Sequence, residues 1–122
     1  MLDQNLDSAR PRQDQIDFVM NLYSSGKIIE AIESINELVQ KFPKEPLLYN
    51  ISGACYLAAE MIQEALKSFK QAVELKEDYA AAQYNLGVAY RNLGQNDFAM
   101  NCFKKAIDLN PAYPDAHNNL GL

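Results

Sequence analysis

The chain matches itself when it is shifted by 34 residues, and this internal repeat limits what it can fold into. Ala31, Ala65 and Ala99 follow one another at that interval, and Gly53 and Gly87 do the same. The same shift also pairs Phe69 with Phe103, Ala72 with Ala106 and Tyr56 with Tyr90. A period of this length is typical of stacked supersecondary units that share one continuous core.

The period divides the chain into units at 12–45, 46–79 and 80–113, a partial unit at 114–122 and a polar leader at 1–11 that we expect to be disordered. In the third unit, small and apolar residues recur at helical spacing up to Gly94, and again from Phe98 to Leu109. Helices of about a dozen residues are marginal alone, so neighbouring units must bury their apolar faces. The sequence therefore predicts an all-α fold of stacked helix pairs.

Small residues at fixed repeat positions indicate where helix backbones approach each other. We expect Gly53 or Gly87 on one helix to face Ala65 or Ala99 on the next. A larger side chain at these positions is expected to force the helices apart.

Two glutamates depart from the repeat at its turns. Glu60 stands where the other units have Gly26 and Gly94, which predicts either a tighter turn or a strained backbone. Glu77 stands at the position of a helix-ending proline, which predicts a slightly longer helix in the second unit.

The composition favours a cytoplasmic protein with no nucleic-acid partner and no membrane span. The net charge is -5, and the lysines lie among acids rather than in a basic stripe. No apolar run reaches the roughly 18 residues that span a bilayer, and the N-terminus lacks the pattern of a signal peptide. Cys55 and Cys102 fall at different repeat positions, so we expect buried thiols rather than a disulfide framework.

The sequence predicts no enzyme, no cofactor and no metal site. His117 is the only histidine, and it stands at the repeat position of Tyr49, where a packing role is expected. No Gly-rich phosphate loop, HExxH or CxxC spacing occurs.

The repeat resembles the tetratricopeptide family, whose 34-residue unit follows the pattern W-x2-L-G-x2-Y, A-x3-F and P. The third unit carries Gln83 at the Trp position, followed by Leu86, Gly87, Tyr90, Ala99, Phe103, Ala106 and Pro111. The other units match less closely, with Ser52 at the Leu position of the second and Val19 at the Gly position of the first. The resemblance covers residues 12–122 and implies a right-handed superhelical α-solenoid of helix-turn-helix repeats.

In this family the first helix of each pair lines a concave groove that binds a peptide or protein segment. Carried over by repeat position, the resemblance implies a groove lined by Ile16, Met20, Tyr23, Leu47, Asn50, Ala54, Leu57, Tyr84, Val88, Arg91 and Asn118. Several of these side chains are large and apolar, and an apolar patch rimmed by polar groups is typical of a binding surface.

Two interpretations of the groove residues remain open. Neighbouring helices bury Ile16, Leu47 and Val88 in part, or these side chains face a ligand. A peptide groove is favoured for Met20, Tyr23, Leu57, Tyr84 and Arg91 as a set, with Asn50 as a hydrogen-bonding group for the peptide backbone.

Family members that grip acidic chaperone tails use a clamp of Lys, Asn, Asn, Lys and Arg. Here the clamp positions hold Ile16, Met20, Ile51, Ala81 and Asn85. One unit later they hold Asn50, Ala54, Asn85, Asp115 and Asn119. Because neither set contains a cation, we expect no binding of chaperone tails.

These patterns predict a protein–protein interaction scaffold with a peptide or protein partner. The alternative is a substrate-recognition arm of a larger enzyme, such as a glycosyltransferase, sulfotransferase or signalling kinase, that continues beyond Leu122. The partial fourth unit predicts a chain cut from a longer protein, with self-association through its C-terminal end. Replacing Tyr84 and Leu57 together by alanine is expected to abolish binding while the helices remain.

Overall fold

The computed structural model describes residues 10–120. Within that range the chain forms α-helices and no strand, which confirms the predicted all-α fold. In chain order the helices are α1 (Gln13–Ser24), α2 (Ile28–Lys41), α3 (Pro46–Ala58), α4 (Ile62–Leu75), α5 (Ala80–Asn92), α6 (Asn96–Leu109) and α7 (Pro114–Leu120). Residues 1–9 of the predicted leader lie outside the described range.

Consecutive helices pack into pairs, and the pairs stack. The pairs are α1 with α2, α3 with α4 and α5 with α6, while α2–α3, α4–α5 and α6–α7 contacts join each pair to the next. The helix that opens each pair is called here a first helix, so the first helices are α1, α3, α5 and α7. Contacts between α3 and α5 show that first helices also lie side by side.

The buried core lies between successive pairs. One cluster joins Val19 and Ile35 of the first pair to Leu48 and Cys55 of the second. A second cluster joins residues of the second pair to residues of the third, in Ala65, Leu66, Phe69, Leu86, Ala89 and Cys102. Each pair thus depends on its neighbour for burial of its apolar faces, as expected for a stacked repeat.

Each glycine in the middle of a first helix allows close packing against a phenylalanine ring. A Cβ added to Gly53 would overlap the ring of Phe69, and one added to Gly87 would lie 2.7 Å from the ring of Phe103. The predicted alanine neighbour is confirmed at Gly87, where the carbonyl oxygen of Ala99 would lie 3.1 Å from the added Cβ. The nearest neighbour of both glycines is the phenylalanine ring sixteen positions later, which the sequence did not predict.

The turns inside the helix pairs share one backbone conformation. Gly26 and Gly94 have φ angles of 79° and 78°, and Glu60 follows the same path with φ of 61°. A side chain in this left-handed region clashes with its own backbone, which glycine avoids. Of the two outcomes predicted for Glu60, the structure has the strained backbone.

The prediction that Glu77 lengthens the second helix of the second unit is wrong. Helix α4 ends at Leu75, which is the repeat position at which α2 and α6 also end. The next residue, Lys76, has φ of -144° and ψ of 96°, close to the -141° and 90° of Asn110 before a proline. The second helix of each pair therefore ends at the same repeat position whether or not a proline follows, because the chain turns there towards the next first helix.

We predict that Gly53→Ala lowers the free energy of unfolding by about 1–3 kcal/mol, because the new methyl group displaces the Phe69 ring. Urea denaturation followed by circular dichroism measures this change. In a Phe69→Leu background the smaller side chain leaves room for the methyl group, so the same substitution should cost much less. An equal cost in both backgrounds would contradict the proposed contact.

We predict that Glu60→Gly raises the free energy of unfolding by about 1 kcal/mol, because glycine removes the penalty of the left-handed conformation. The reciprocal variant Gly94→Glu serves as the matched control and should be destabilised by a similar amount. Thermal denaturation of the two variants beside the parent chain tests the pair. A Glu60→Gly variant that melts below the parent would show that the turn is not strained.

Candidate functional site: the wall of first helices

A small cavity opens between the first helices of the first and second pairs. Met20 and Tyr23 of α1, with Asn50, Ile51 and Ala54 of α3, enclose about 150 Å³. The lining is mainly apolar, and Met20 at its edge is 39% exposed. The structure thus brings together four of the groove residues predicted from the sequence, and the space is called here the α1–α3 cavity.

Other predicted groove residues have partly structural positions. Ile16 packs against the first core cluster and Leu57 against the second, since both lie on the side of their helix that faces the next pair. Val88 is half-buried, whereas Leu47 is 37% exposed. Partial burial by neighbouring helices therefore applies to Ile16 and Val88 more than to Leu47.

Side-chain amides tie adjacent first helices together. Asn85 of α5 donates a hydrogen bond from Nδ2 to Oδ1 of Asn50 on α3 at 2.9 Å. One period later, Asn119 of α7 donates to the hydroxyl of Tyr84 on α5 at 3.2 Å. The carbonyl oxygen of Asn50 thus already accepts a bond from Asn85, and the role of Asn50 as a ligand for a peptide backbone stays a prediction.

Asn50 also contacts the phenol of Tyr79, which precedes α5. Burial raises the pKa of Tyr79, a hydrogen bond from Asn50 lowers it, and the carboxylate of Glu45 raises it further. Burial is the largest of these effects, so Tyr79 stays protonated near neutral pH. The sequence pattern does not indicate this contact, because Tyr79 lies in a loop outside the repeated groove positions.

Tyr84 supports the fold as well as the wall. Its ring stacks on Tyr113 with centroids 5.1 Å apart and lies 5.5 Å from the ring of Phe103. Replacing Tyr84 and Leu57 together by alanine would therefore remove core packing along with groove surface. Variants at Met20 and Ala54, which line the α1–α3 cavity, test the groove more directly.

Arg91 places the positive charge of α5 beside an aromatic ring. Its guanidinium carbon lies 5.9 Å from the centroid of Phe103, within the range of a cation–π contact. The side chain is exposed, and the one ion pair found among residues 10–120 joins Arg12 to Asp14. Arg91 is therefore available to a ligand carboxylate.

His117 has a structural hydrogen bond. Its Nε2 donates to the carbonyl oxygen of Pro111 at 2.8 Å. Tyr49, at the same repeat position in the second unit, donates to the carbonyl oxygen of Pro43 at the same distance. The histidine thus replaces a tyrosine that anchors the preceding loop.

Over the described part of the chain, no cluster of His, Cys, Asp or Glu has the arrangement of a metal site.

The two thiols lie in the core and away from the wall surface. Cys55 is fully buried and Cys102 is nearly so, and both are free. Burial raises the pKa of Cys55 to about 11, and it raises the pKa of Cys102 against the opposing effect of Lys105. A neutral buried thiol is a poor nucleophile, so these residues act as small apolar side chains.

A second cavity lies between α6 and α7. Met100, Lys104, Ile107, Asp108 and Leu120 line about 260 Å³, and Met100 is 43% exposed. The equivalent residue of the second unit, Leu66, is buried by the pair that follows it. Self-association through this end of the described chain stays a prediction.

A family model described as TPR repeat matches residues 53–94 and again residues 89–122. Together the two matches extend over more than half of the sequence. The chain belongs to the TPR repeat family. This membership confirms the resemblance drawn from the 34-residue period, and it agrees with the paired helices of the fold.

Two solved structures superpose closely on the chain. The second TPR domain of the human RPAP3 protein, solved in complex with the HSP70 peptide SGPTIEEVD, is 26% identical with a TM-score of 0.83, covering 88% of this chain and 89% of that one. MamA is also 26% identical with a TM-score of 0.83, but the match covers 88% of this chain and 63% of MamA.

Curated relatives are much longer than this chain. The peroxisomal targeting signal receptor of Saccharomyces cerevisiae is 27% identical over 72 residues, which is 59% of this chain. The match covers 12% of the length of that relative. Among the described residues, none of the helices is both long and apolar enough to cross a bilayer.

We predict that the free energy of unfolding falls as the pH rises from 9 to 11. The Cys55 thiol ionises near pH 9.0 when exposed and near 11 when buried, so the unfolded chain loses this proton first. The expected loss from Cys55 is about 2 kcal/mol, measured by urea denaturation across this pH range. A Cys55→Ala variant should show a shallower decline, whereas Ser24→Ala should follow the parent. Equal slopes for Cys55→Ala and the parent would contradict the assignment.

Proposed function

We propose that the chain is a protein–protein interaction module that binds an extended segment of a partner along the wall of first helices. The α1–α3 cavity carries this proposal, because it combines an apolar lining with a flexible, exposed methionine at its edge. Clefts of this kind accept an apolar side chain of a ligand, and methionine adapts its shape to the ligand.

The wall offers both apolar and hydrogen-bonding groups to a ligand. It presents the apolar side chains of Met20 and Leu47 beside the amides that connect α3, α5 and α7. The second TPR domain of human RPAP3, similar in sequence and fold, was solved with a peptide bound. This relative supports peptide binding here, while the clamp positions of this chain, which hold no cation, disfavour an HSP70-type acidic tail as the ligand.

The proposal is tested by selecting binders from a phage-displayed library of random 12-residue peptides on the immobilised chain. The Ala54→Phe variant fills the α1–α3 cavity and is expected to weaken the selected peptides roughly thirtyfold, in line with loss of an interface anchor worth about 2 kcal/mol. Fluorescence anisotropy measures the affinity, and circular dichroism verifies the helices of the variant.

Phe98→Ser is the matched control, because Phe98 is 58% exposed and lies on α6 rather than on a first helix. This variant should bind the selected peptides as tightly as the parent chain. Selection of no peptide would overturn the proposed function. Binding that is lost in Phe98→Ser and retained in Ala54→Phe would move the site to the surface of the second helices.

A further inference from the structure

The repeat places three equivalent recognition positions along the wall, and their chemistry changes from one to the next. The first is the α1–α3 cavity, whose lining includes Tyr23 and Asn50. One period later the equivalents of these residues are Leu57 and Tyr84, and two periods later the cationic Arg91 replaces Tyr23. The residue at the repeat position of Tyr23 therefore changes from aromatic to aliphatic to cationic along the wall, and the cation lies towards α7.

The contacts of Arg91 show where its guanidinium lies at the third recognition position, two periods after Tyr23. It lies against the ring of Phe103, the ring that Tyr84 also contacts, so both side chains lie on the same side of α5. The hydroxyl of Tyr84 accepts a hydrogen bond from Asn119, which shows that this side faces α7. Asn118, the equivalent of Asn50 on α7, is exposed at the same position and adds an amide donor.

Arg91 is the single lysine or arginine of the four first helices. Helix α3 has no charged residue, and Asp115 of α7 forms no ion pair with Arg91 within the described range. The N-terminal end of the wall carries Asp17, whose carboxylate accepts a hydrogen bond from Gln13 at 2.9 Å. A ligand carboxylate thus finds the one cation of the first helices, Arg91, towards the α5–α7 end and the carboxylate of Asp17 at the other.

We propose, building on the peptide-binding function above, that the wall selects an extended segment with two features. A large aliphatic side chain occupies the α1–α3 cavity, and an aspartate or glutamate side chain binds Arg91 with Asn118 beside it. Packed helices lie roughly 8–10 Å apart, so the two positions are separated by about 20 Å. An extended chain advances about 3.3 Å per residue, which places the two side chains about six residues apart.

The experiment repeats the phage selection in parallel on the parent chain and on Arg91→Gln. Peptides selected by the parent should carry Leu, Ile or Met and an acidic residue five to seven positions away. Peptides selected by Arg91→Gln should keep the aliphatic residue and lose the acidic one. Arg91→Lys keeps the charge and should recover the acidic preference, which a purely structural role of the arginine would not explain.

The affinity of a selected peptide at two salt concentrations gives an independent measure of the contribution of the Arg91 charge. For a peptide selected by the parent chain, Arg91→Gln should raise the Kd about fivefold in 50 mM NaCl, as expected for one exposed charge pair. In 500 mM NaCl the parent should lose most of this advantage, because salt screens exposed charges. Lys67→Gln, which removes an exposed charge on α4, is the matched control and should bind like the parent.

The outcomes separate this inference from the function on which it depends. Parent selections that lack the spaced acidic residue, or an acidic preference that persists in Arg91→Gln, would overturn the two-point recognition and leave peptide binding in place. A parent chain that selects no peptide would overturn both. Circular dichroism would detect a loss of helicity in Arg91→Gln. In that case, the salt dependence of peptide binding by Arg91→Lys, compared with that of the parent, would decide the role of the charge.

Discussion

Close packing of a glycine against a phenylalanine ring sets how closely the helices approach each other in the second and third pairs. Phe69 and Phe103 fill the space left by the missing side chains of Gly53 and Gly87, and both rings are almost fully buried. The first pair has Val19 and Ile35 at these two positions, and both are buried in the core cluster that joins it to the second pair. The space between first and second helices is therefore filled either by a glycine with a ring or by a valine with an isoleucine.

The wall of first helices depends on that spacing in turn. The side chains of Asn85 and Tyr84 form hydrogen bonds to neighbouring first helices, which is possible only because these helices lie close together. These groups form hydrogen bonds with each other, so part of the polar surface of the wall is already bonded before a ligand arrives. The α1–α3 cavity has a mainly apolar lining and is unfilled, whereas the amides that bridge the first helices are already hydrogen-bonded. Affinity is therefore expected to come from apolar burial, and direction from Arg91.

A repeat architecture separates stability from recognition. Positions that face the partner helix keep their residue type through the repeats, as Ala31, Ala65 and Ala99 do, because the same packing recurs. Positions on the wall are free of that constraint, so Tyr23, Leu57 and Arg91 differ at one repeat position. Under the proposed function, a ligand bound along several units would meet a different group at each unit.

The sequence by itself determined the helix pairs and their family, because a 34-residue period and helical spacing are properties of the chain alone. The groove residues inferred from the family pattern stay a prediction. Only the tertiary structure decided which ring meets each glycine, that α4 ends without a proline, and that Glu60 adopts a left-handed backbone. It also decided that Asn50 is bonded to Asn85. These outcomes depend on contacts between residues distant in sequence, and a local pattern contains no information about which partner fills a given space.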